Sequence, residues 1–502
     1  MKLPLQPRHL RFPVLAAALG LASSLSAQAP IFTEHYENVL GTSLELRLRA
    51  AGEPAAGKAE AATLAEIDRE NAILSAWQPA SEFSRWVKTH DTPVKVSPEL
   101  LDVLALFDAW RIQTGGALDA SAETAVRVWK QAEAEHRQPT AEELANAVAA
   151  MQRPHWKLDR AAGTATHLDD APIALNSFAK SYIADRAAAA ALQAGASGIS
   201  LNLGGDIVLR GDLSEQVAVA NPRADAENDP PLDTLRLADR TVATSGAYRR
   251  GVDINGRHYS HIIDPRTGAT AEDVLSSTVI APDASEAGAL ATAFSVMKPA
   301  ESQKLAARLR GVDYLLITAD GRTIASPGWS RLETAHLQPA GFTLQAKKKA
   351  AASPHLDLLV TLELASFDNP RFRRPYIAVW VEDKDHNAVK TIALWSQKPR
   401  YLDELKVWYH DAKAYSGDIA YTVTSATRPP GKYTLRWNGL DDAGKPVPPG
   451  EYTVCIEAAR EHGTYGIMRQ EIDFDGHTPH QFTLPGNTEV SGASLDYGEH
   501  EQ

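Results

Sequence analysis

"YSHIIDPRTG", residues Tyr259 to Gly268, packs a histidine, an aspartate, a proline, an arginine and a closing glycine into ten residues. Taken locally, it is a strand running into a turn, with Pro265 fixing φ and Gly268 supplying a left-handed exit. Taken chemically, it is a loop that turns His261 and Asp264 toward a ligand. The ten residues suit both readings, so the rest of the chain has to choose.

The chain has 502 residues, 44% hydrophobic and 23% charged, which is enough core-forming material for more than one domain. Its 51 basic and 63 acidic residues give a net −12, which argues against nucleic acid or an anionic membrane as the main partner. The single cysteine, Cys455, excludes an internal disulfide framework and a Cys-rich metal site. Residues 1–27 read as a signal peptide. Lys2, Arg8 and Arg11 flank the start of the apolar run "FPVLAAALGLASSL", and the small residues of "SLSAQA" place a cleavage point near Ala27. The run is too short to span a bilayer comfortably, so the mature chain is expected to carry no integral membrane span. A Cys-poor exported chain of this kind suits a bacterial periplasm.

Helices and strands mix over residues 31–340. In "TLAEIDRENAILSA", Leu64, Ile67, Asn71 and Leu74 share one helical face. "SPELLDVLALFDAWRIQTGG" is a helix capped by Ser97, opened by Pro98 and closed by Gly115–Gly116. "AKSYIADRAAAAALQAG" is a helix ending at Gly195, and "GISLNLGGDIVLRG" is a strand, a Gly204–Gly205 turn and a second strand. The strand "LSSTVIAP" leads into the helix "DASEAGALATAFSVM", where Asp283 and Glu286 have capping-box spacing. Residues 341–355, around "QAKKKAAASP", read as a linker. Residues 356–502 look all-β, with the runs "YIAVWVED", "KTIALWSQ", "KYTLRWNG" and "GEYTVCIEAA" suggesting a sandwich of roughly seven short strands. "WNGLDDAGKPVPPGEYTV" resembles the hairpin of flagellar-hook-cap-type immunoglobulin-like domains. There is no repeat with a 20–50-residue period.

Seven segments, in order, resemble the FAD:protein FMN transferases, the ApbE-type flavin transferases. They are "LSAWQPASEFSRW", "TGGALDAS", "IALNSFAKSYIADRA", "LNLGGDI", "VATSGAY", "YSHIIDPRTG" and "AGALATA". The third stands against the family's D-L-G-G-x-A-K-G-Y-x-x-D-R. The resemblance covers roughly residues 36–330 and implies an α+β flavin-transferase-like domain there, ahead of the immunoglobulin-like β-sandwich read from the strand pattern. It implies an enzyme that uses FAD and Mg²⁺, attaches FMN covalently to a Ser or Thr of a partner protein bearing an S-G-A-T-like motif, and releases AMP. Two alternatives stand beside it: an FAD pyrophosphatase, and a non-catalytic FAD-binding or interaction protein.

Carried over position by position, the resemblance implies that Trp77 stacks on FAD. Ala117 and Leu118 would bind flavin through their backbone, with Asp119 as acceptor. Lys180, Asp206, Ser245, Gly246 and Ile262 would line the cofactor. His261 would sit at the pyrophosphate, as ligand or as base, with Asp264 framing it. Ser177, through its carbonyl, and Thr292 would hold the metal. Two departures fall on the expected metal and flavin contacts. The family's metal-binding Asp is Gly288, where either a neighbour approaches the backbone closely or a carboxylate ligand has been lost, and its Asp-Leu-Gly-Gly is Ala174-Leu175-Asn176-Ser177. A last stretch, "VSGASL" (Val490–Leu495), resembles the S-G-A-T acceptor core and would make Ser494 a site of self-modification.

Overall fold

A computed structural model describes residues 28–247, 251–334, 356–367, 374–396, 399–415, 424–425, 427–460 and 463–500. The expected signal segment and linker lie outside the described residues.

The N-terminal part is built on one antiparallel sheet of eight strands. Its spatial order is Ile31–Val39, Thr42–Arg49, Gly198–Leu203, Asp206–Gly211, Thr241–Gly246, Val274–Ala281, Asp313–Thr318 and Thr323–Ala325. Period-two alternation builds it. Leu44, Leu46 and Leu48 point to one face and lie directly opposite Leu203, Leu201 and Ile199. Each such cross-strand pair contributes roughly 0.2–1 kcal/mol. The helices Glu53–Leu74, Ala179–Gln193 and Ala284–Val296 pack on this face. The alanine run makes that approach close, with Ala184, Ala187, Ala188 and Ala191 fully buried. The opposite face buries Leu209, Val242, Ile280 and Leu315 under Val217, Leu235 and Leu237 of the hairpin Ser214–Val219/Asp233–Ala238, and under Trp329. The middle strands are therefore apolar on both faces.

Local signals place most of these elements. The Pro98–Gln113 helix starts where Leu100 N–H donates to Ser97 Oγ and ends at Gly115 and Gly116, both at positive φ. Only half of the expected capping box forms at the Ala284–Val296 helix: Asp283 accepts from Glu286 N–H, without the return bond. The first long helix is rotated from expectation. Its buried face carries Ala56, Ala59, Thr63, Ile67, Glu70 and Leu74, so Glu70 takes the inner position expected for Asn71.

The C-terminal part has two sheets across one core of Leu358, Val360, Val379, Val454 and Leu495. One runs Gly431–Trp437, Leu356–Leu364, Val490–Glu499, His480–Pro485. The other runs Thr424–Ser425, Ala388–Trp395, Tyr376–Glu382, Gly450–Ala459, Tyr465–Phe474. Two expectations are corrected. This part is not all-β, because the helix Lys406–Tyr415 covers the outer face of the second sheet, where Leu405 and Trp408 pack on Trp380, Leu394 and buried Cys455. The stretch expected as a hairpin crosses between sheets, since Gly431–Trp437 and Gly450–Ala459 belong to different ones. Only Leu440 and Pro446 pair, around a tight turn in which Asp441 N–H donates to Lys445 C=O.

The two parts are clasped together. Gly431–Trp437 is an edge strand, and the loop 225–229 of the N-terminal part lies along it. Glu227 N–H donates to Thr434 C=O at 2.8 Å, and the Asn228 amide pairs with both Arg436 N–H (2.7 Å) and Arg436 C=O (2.8 Å). Covering an open edge in this way removes a row of unpaired backbone groups. The Arg436 guanidinium closes the clasp on Asp229 and Asp357, each at 2.5 Å.

Candidate functional site

The turn Asp264–Gly268 is closed by Thr267 N–H and Gly268 N–H, both donating to Asp264 C=O. Gly268 adopts φ 73°, the left-handed exit that its position requires. Its carbonyl accepts from Trp129 Nε1 at 2.9 Å, which ties the turn to a neighbouring helix. The Asp264 carboxylate is taken up by Arg266, with Nε at 2.9 Å from Oδ1 and Nη2 at 2.9 Å from Oδ2, and by Arg266 N–H. It therefore shapes the turn. Ile262 N–H donates to Ser260 Oγ and Ile262 C=O accepts from Ala271 N–H. With Ser260 and Ile262 both buried, the backbone turns the intervening His261 outward to solvent.

The other segments connect to this turn through a chain of contacts. The Arg266 stem passes Gly116, where an added Cβ would lie 3.5 Å from Arg266 Cγ. Beyond Gly116, the N–H groups of Ala117 and Leu118 turn inward onto the Thr114 carbonyl and hydroxyl. Asp119 is buried, accepts from Ser121 N–H and Oγ, and pairs with Arg111 Nε at 2.8 Å. Its carboxylate caps the short helix that follows. That helix's Ala120 C=O receives Ala174 N–H at 2.8 Å, which joins it to the "IALNS" segment.

"IALNS" leads into the Ala179–Gln193 helix, which runs antiparallel against Ala284–Val296. At one rung of the crossing, Thr292 Oγ1 donates to Ser177 C=O at 3.2 Å. The two oxygens expected to hold a metal thus meet. Thr292 bonds across the crossing and not to its own helix. At the next rung, Gly288 faces Ser181. Lys180 lies in the first turn of its helix, where the helix dipole favours anions. Its charge acts on half-buried Asp206, which follows the Gly204–Gly205 turn. Burial pushes the Asp206 carboxyl up to about 6, against the pull of the Ser181 hydroxyl and of Lys180.

Trp77 is 89% exposed, which excludes a core role for it. Its loop is held by Ser75 Oγ, which accepts from Trp77 N–H and Gln78 N–H. Ser245 and Gly246 end a regular strand, opposite Ser277 and Ser276. Ser181, Arg111 and Arg266 did not stand out in the sequence. Ser181 carried a signal nonetheless, since it stands where the motif has glycine. A separate cleft of about 430 Å³ flanks the turn, lined by Trp129, Arg257, Tyr259, Asp264, Thr267 and Glu272 among others; it reaches Val296 at the end of the Ala284–Val296 helix but none of Ser177, Ser181, Gly288 and Thr292.

The family model of ApbE matches residues 40–316, and that of a "Predicted periplasmic protein (DUF2271)" matches residues 357–492. An FAD:protein FMN transferase of Klebsiella pneumoniae is 29% identical over 329 residues, covering 62% of this chain and 93% of that one. One from Haemophilus influenzae is 30% identical over 265 residues, 50% of this chain and 75% of its own. Among solved structures, the ApbE protein of Thermotoga maritima is 26% identical with a TM-score of 0.54, covering 61% of this chain and 100% of that one. The flavin transferase ApbE of Vibrio cholerae, at 24% identity and a TM-score of 0.51, covers 60% of this chain and all of its own, and shows the same fold. With a family match that runs over more than half of its length, the chain belongs to the ApbE family.

Proposed function

We propose that this chain is an exported FAD:protein FMN transferase. The observation that carries the reading is the helix crossing. A helix N-terminus with Lys180 in its first turn lies beside a carbonyl and a hydroxyl, Ser177 and Thr292, that meet at 3.2 Å. Phosphoryl transfer needs such positive potential on phosphate oxygens and an oriented nucleophile, and little covalent chemistry from the protein.

In the reaction, a Ser or Thr hydroxyl of the partner attacks the phosphorus on the flavin side of the FAD pyrophosphate. A new P–O bond joins FMN to the partner, the bridging P–O bond breaks, and AMP leaves with the electron pair. His261, exposed on its rigid turn, takes the hydroxyl proton or holds the phosphate; Asp264 and Arg266 fix that turn. Lys180 and the helix dipole attract the pyrophosphate. Trp77 presents an exposed indole for stacking on a flavin or adenine ring. A bound Mg²⁺ would neutralise charge building on the phosphate oxygens, and Ser177 C=O and Thr292 Oγ1 are the oxygens that would hold it.

Export is supported by the reading of residues 1–27 and by the description of the second family as periplasmic. Among the described residues no helix is long and apolar enough to cross a membrane. We take residues 31–340 as the transferase unit and residues 356–502 as an appended unit that docks the partner. Deleting 356–502 without loss of partner modification would overturn that second role. Ser494 is a poor self-acceptor. Its strand is paired on both sides, opposite Thr361 and Thr483, which holds its backbone inside a sheet.

The test is a product analysis with FAD, Mg²⁺ and an S-G-A-T-bearing partner. AMP together with flavin that stays on the denatured partner is expected. Free FMN with AMP would replace transfer by hydrolysis, and intact FAD would leave a binding protein.

A further inference from the structure

Gly288 lies inside a buried helix, where glycine costs roughly 1 kcal/mol relative to alanine. The structure gives the reason for it. A Cβ there would come within 2.5 Å of Ser181 Oγ and 3.2 Å of the Cβ atoms of Ser181 and Phe178. The two helices touch at this rung, and residue 288 is bare because residue 181 is not. The Ser181 hydroxyl in turn donates to Asp206 Oδ2 at 2.8 Å. The space that a side chain on residue 288 would enter is thus held by a hydroxyl bonded to a carboxylate from the neighbouring strand. Against the family motif the exchange is reciprocal: glycine becomes Ser181 on one helix, and aspartate becomes Gly288 on the other.

We propose that Asp206 supplies the anionic oxygen of a divalent-cation site in this chain, replacing the carboxylate absent from position 288. Ser181 holds Asp206 at the crossing, and Ser177 C=O and Thr292 Oγ1 on the adjacent rung are the neutral donors. Among the described residues no group of three or more His, Cys, Asp or Glu could hold a metal. The proposed site combines one carboxylate with neutral oxygen donors. Mg²⁺ accepts such a set when phosphate oxygens and water fill its remaining positions. The inference deepens the phosphate-site reading of this crossing and rests on it. It does not require that FMN be transferred.

The experiment measures Mn²⁺ binding to the full-length protein by electron paramagnetic resonance, alone and with ADP as the diphosphate probe. Wild type is expected to bind Mn²⁺, more tightly with ADP. Asp206→Asn, nearly isosteric, should weaken binding at least about tenfold, and Ser181→Ala, which frees Asp206 to rotate, should weaken it less. Gly288→Asp alone should not strengthen binding, because its side chain meets Ser181. Gly288→Asp with Ser181→Gly should restore binding in an Asp206→Asn background. Asp206→Asn binding Mn²⁺ as wild type does would overturn the proposal, as would a wild type that binds none with ADP. Flavin transfer measured in parallel separates the two readings: Mn²⁺ binding that follows Asp206 in a protein that transfers no FMN would sink the function and leave the site.

Discussion

Replacing Arg436 by methionine should loosen the clasp between the two parts of the chain. The side chains of Arg436, Asp229 and Asp357 are 5%, 6% and 2% exposed, and Asp225 approaches the guanidinium at 3.6 Å. Methionine fills much of the volume but leaves two buried carboxylates without their cation. Removing one partner of a buried pair typically costs about 3–5 kcal/mol. Asp357 retains His500 Nδ1 at 2.5 Å, and Asp229 retains Ala226 N–H at 3.0 Å, so the lower end, about 3 kcal/mol, is expected. The two carboxylates separate the contributions. Asp357 belongs to the same part as Arg436, so Asp357→Asn reports on that part's own stability. Asp229 comes from the other part, so Asp229→Asn reports on docking. Urea denaturation of the full chain gives the total. Amide exchange at Glu227 and Arg436 gives the docking, because those two N–H groups bond across the clasp and would meet water when the loop lifts. Arg436→Met and Asp229→Asn should both speed exchange at these amides, and Asp357→Asn much less. A loss under about 0.5 kcal/mol for Arg436→Met, with both amides still protected, would refute the argument and reduce the network to a surface ion pair.

His261→Ala should leave the fold intact and lower flavin transfer at least about tenfold; an unchanged rate would return the loop to a purely structural turn. Trp77→Ala should weaken FAD binding by about 0.5–1.5 kcal/mol, read by flavin fluorescence, while the melting temperature of so exposed a site stays put. Glu70 is fully buried, and burial pushes its carboxyl up to about 7 despite Arg69 and Arg186, which it shares with Glu66, Glu99 and Asp102. The folded chain then keeps a proton that the unfolded chain releases above the ordinary glutamate range. Its contribution to stability is fully present below that range and is lost as pH rises toward 7. Glu70→Gln should flatten the slope over that window in urea melts, and parallel slopes would discount the effect.

Sequence alone determined what depends on near neighbours. Ser97, Pro98 and the glycine pair delimit one helix because caps act within a turn. The spacing of Leu44, Leu46 and Leu48 commits a strand to one buried face because its side chains alternate. Seven segments in order carried the family, and position 288 announced itself as a departure. What the sequence left open depends on partners far along the chain. Asn71 and Glu70 differ by one step around a helix, and only the two arginines on Glu70 decide which faces inward. The spacing of Leu402, Leu405 and Trp408 is helical, but only Trp380 and Leu394 beneath them make a helix worth burying there. The run from Trp437 to Gly450 looks like a hairpin, yet its two strands find different sheets, because the core between the sheets takes both. Asp119 read as an acceptor and Asp264 as a residue turned toward a ligand, until Arg111 and Arg266 fold onto them. Gly288 read as a lost ligand, and only the crossing of two helices a hundred residues apart shows that Ser181 fills its space and holds Asp206 there. Capping and alternation are properties of a few consecutive residues, so they can be read in order. Which charge meets which, and which side chain fills a given gap, is set when distant segments pack, and that is written only in three dimensions.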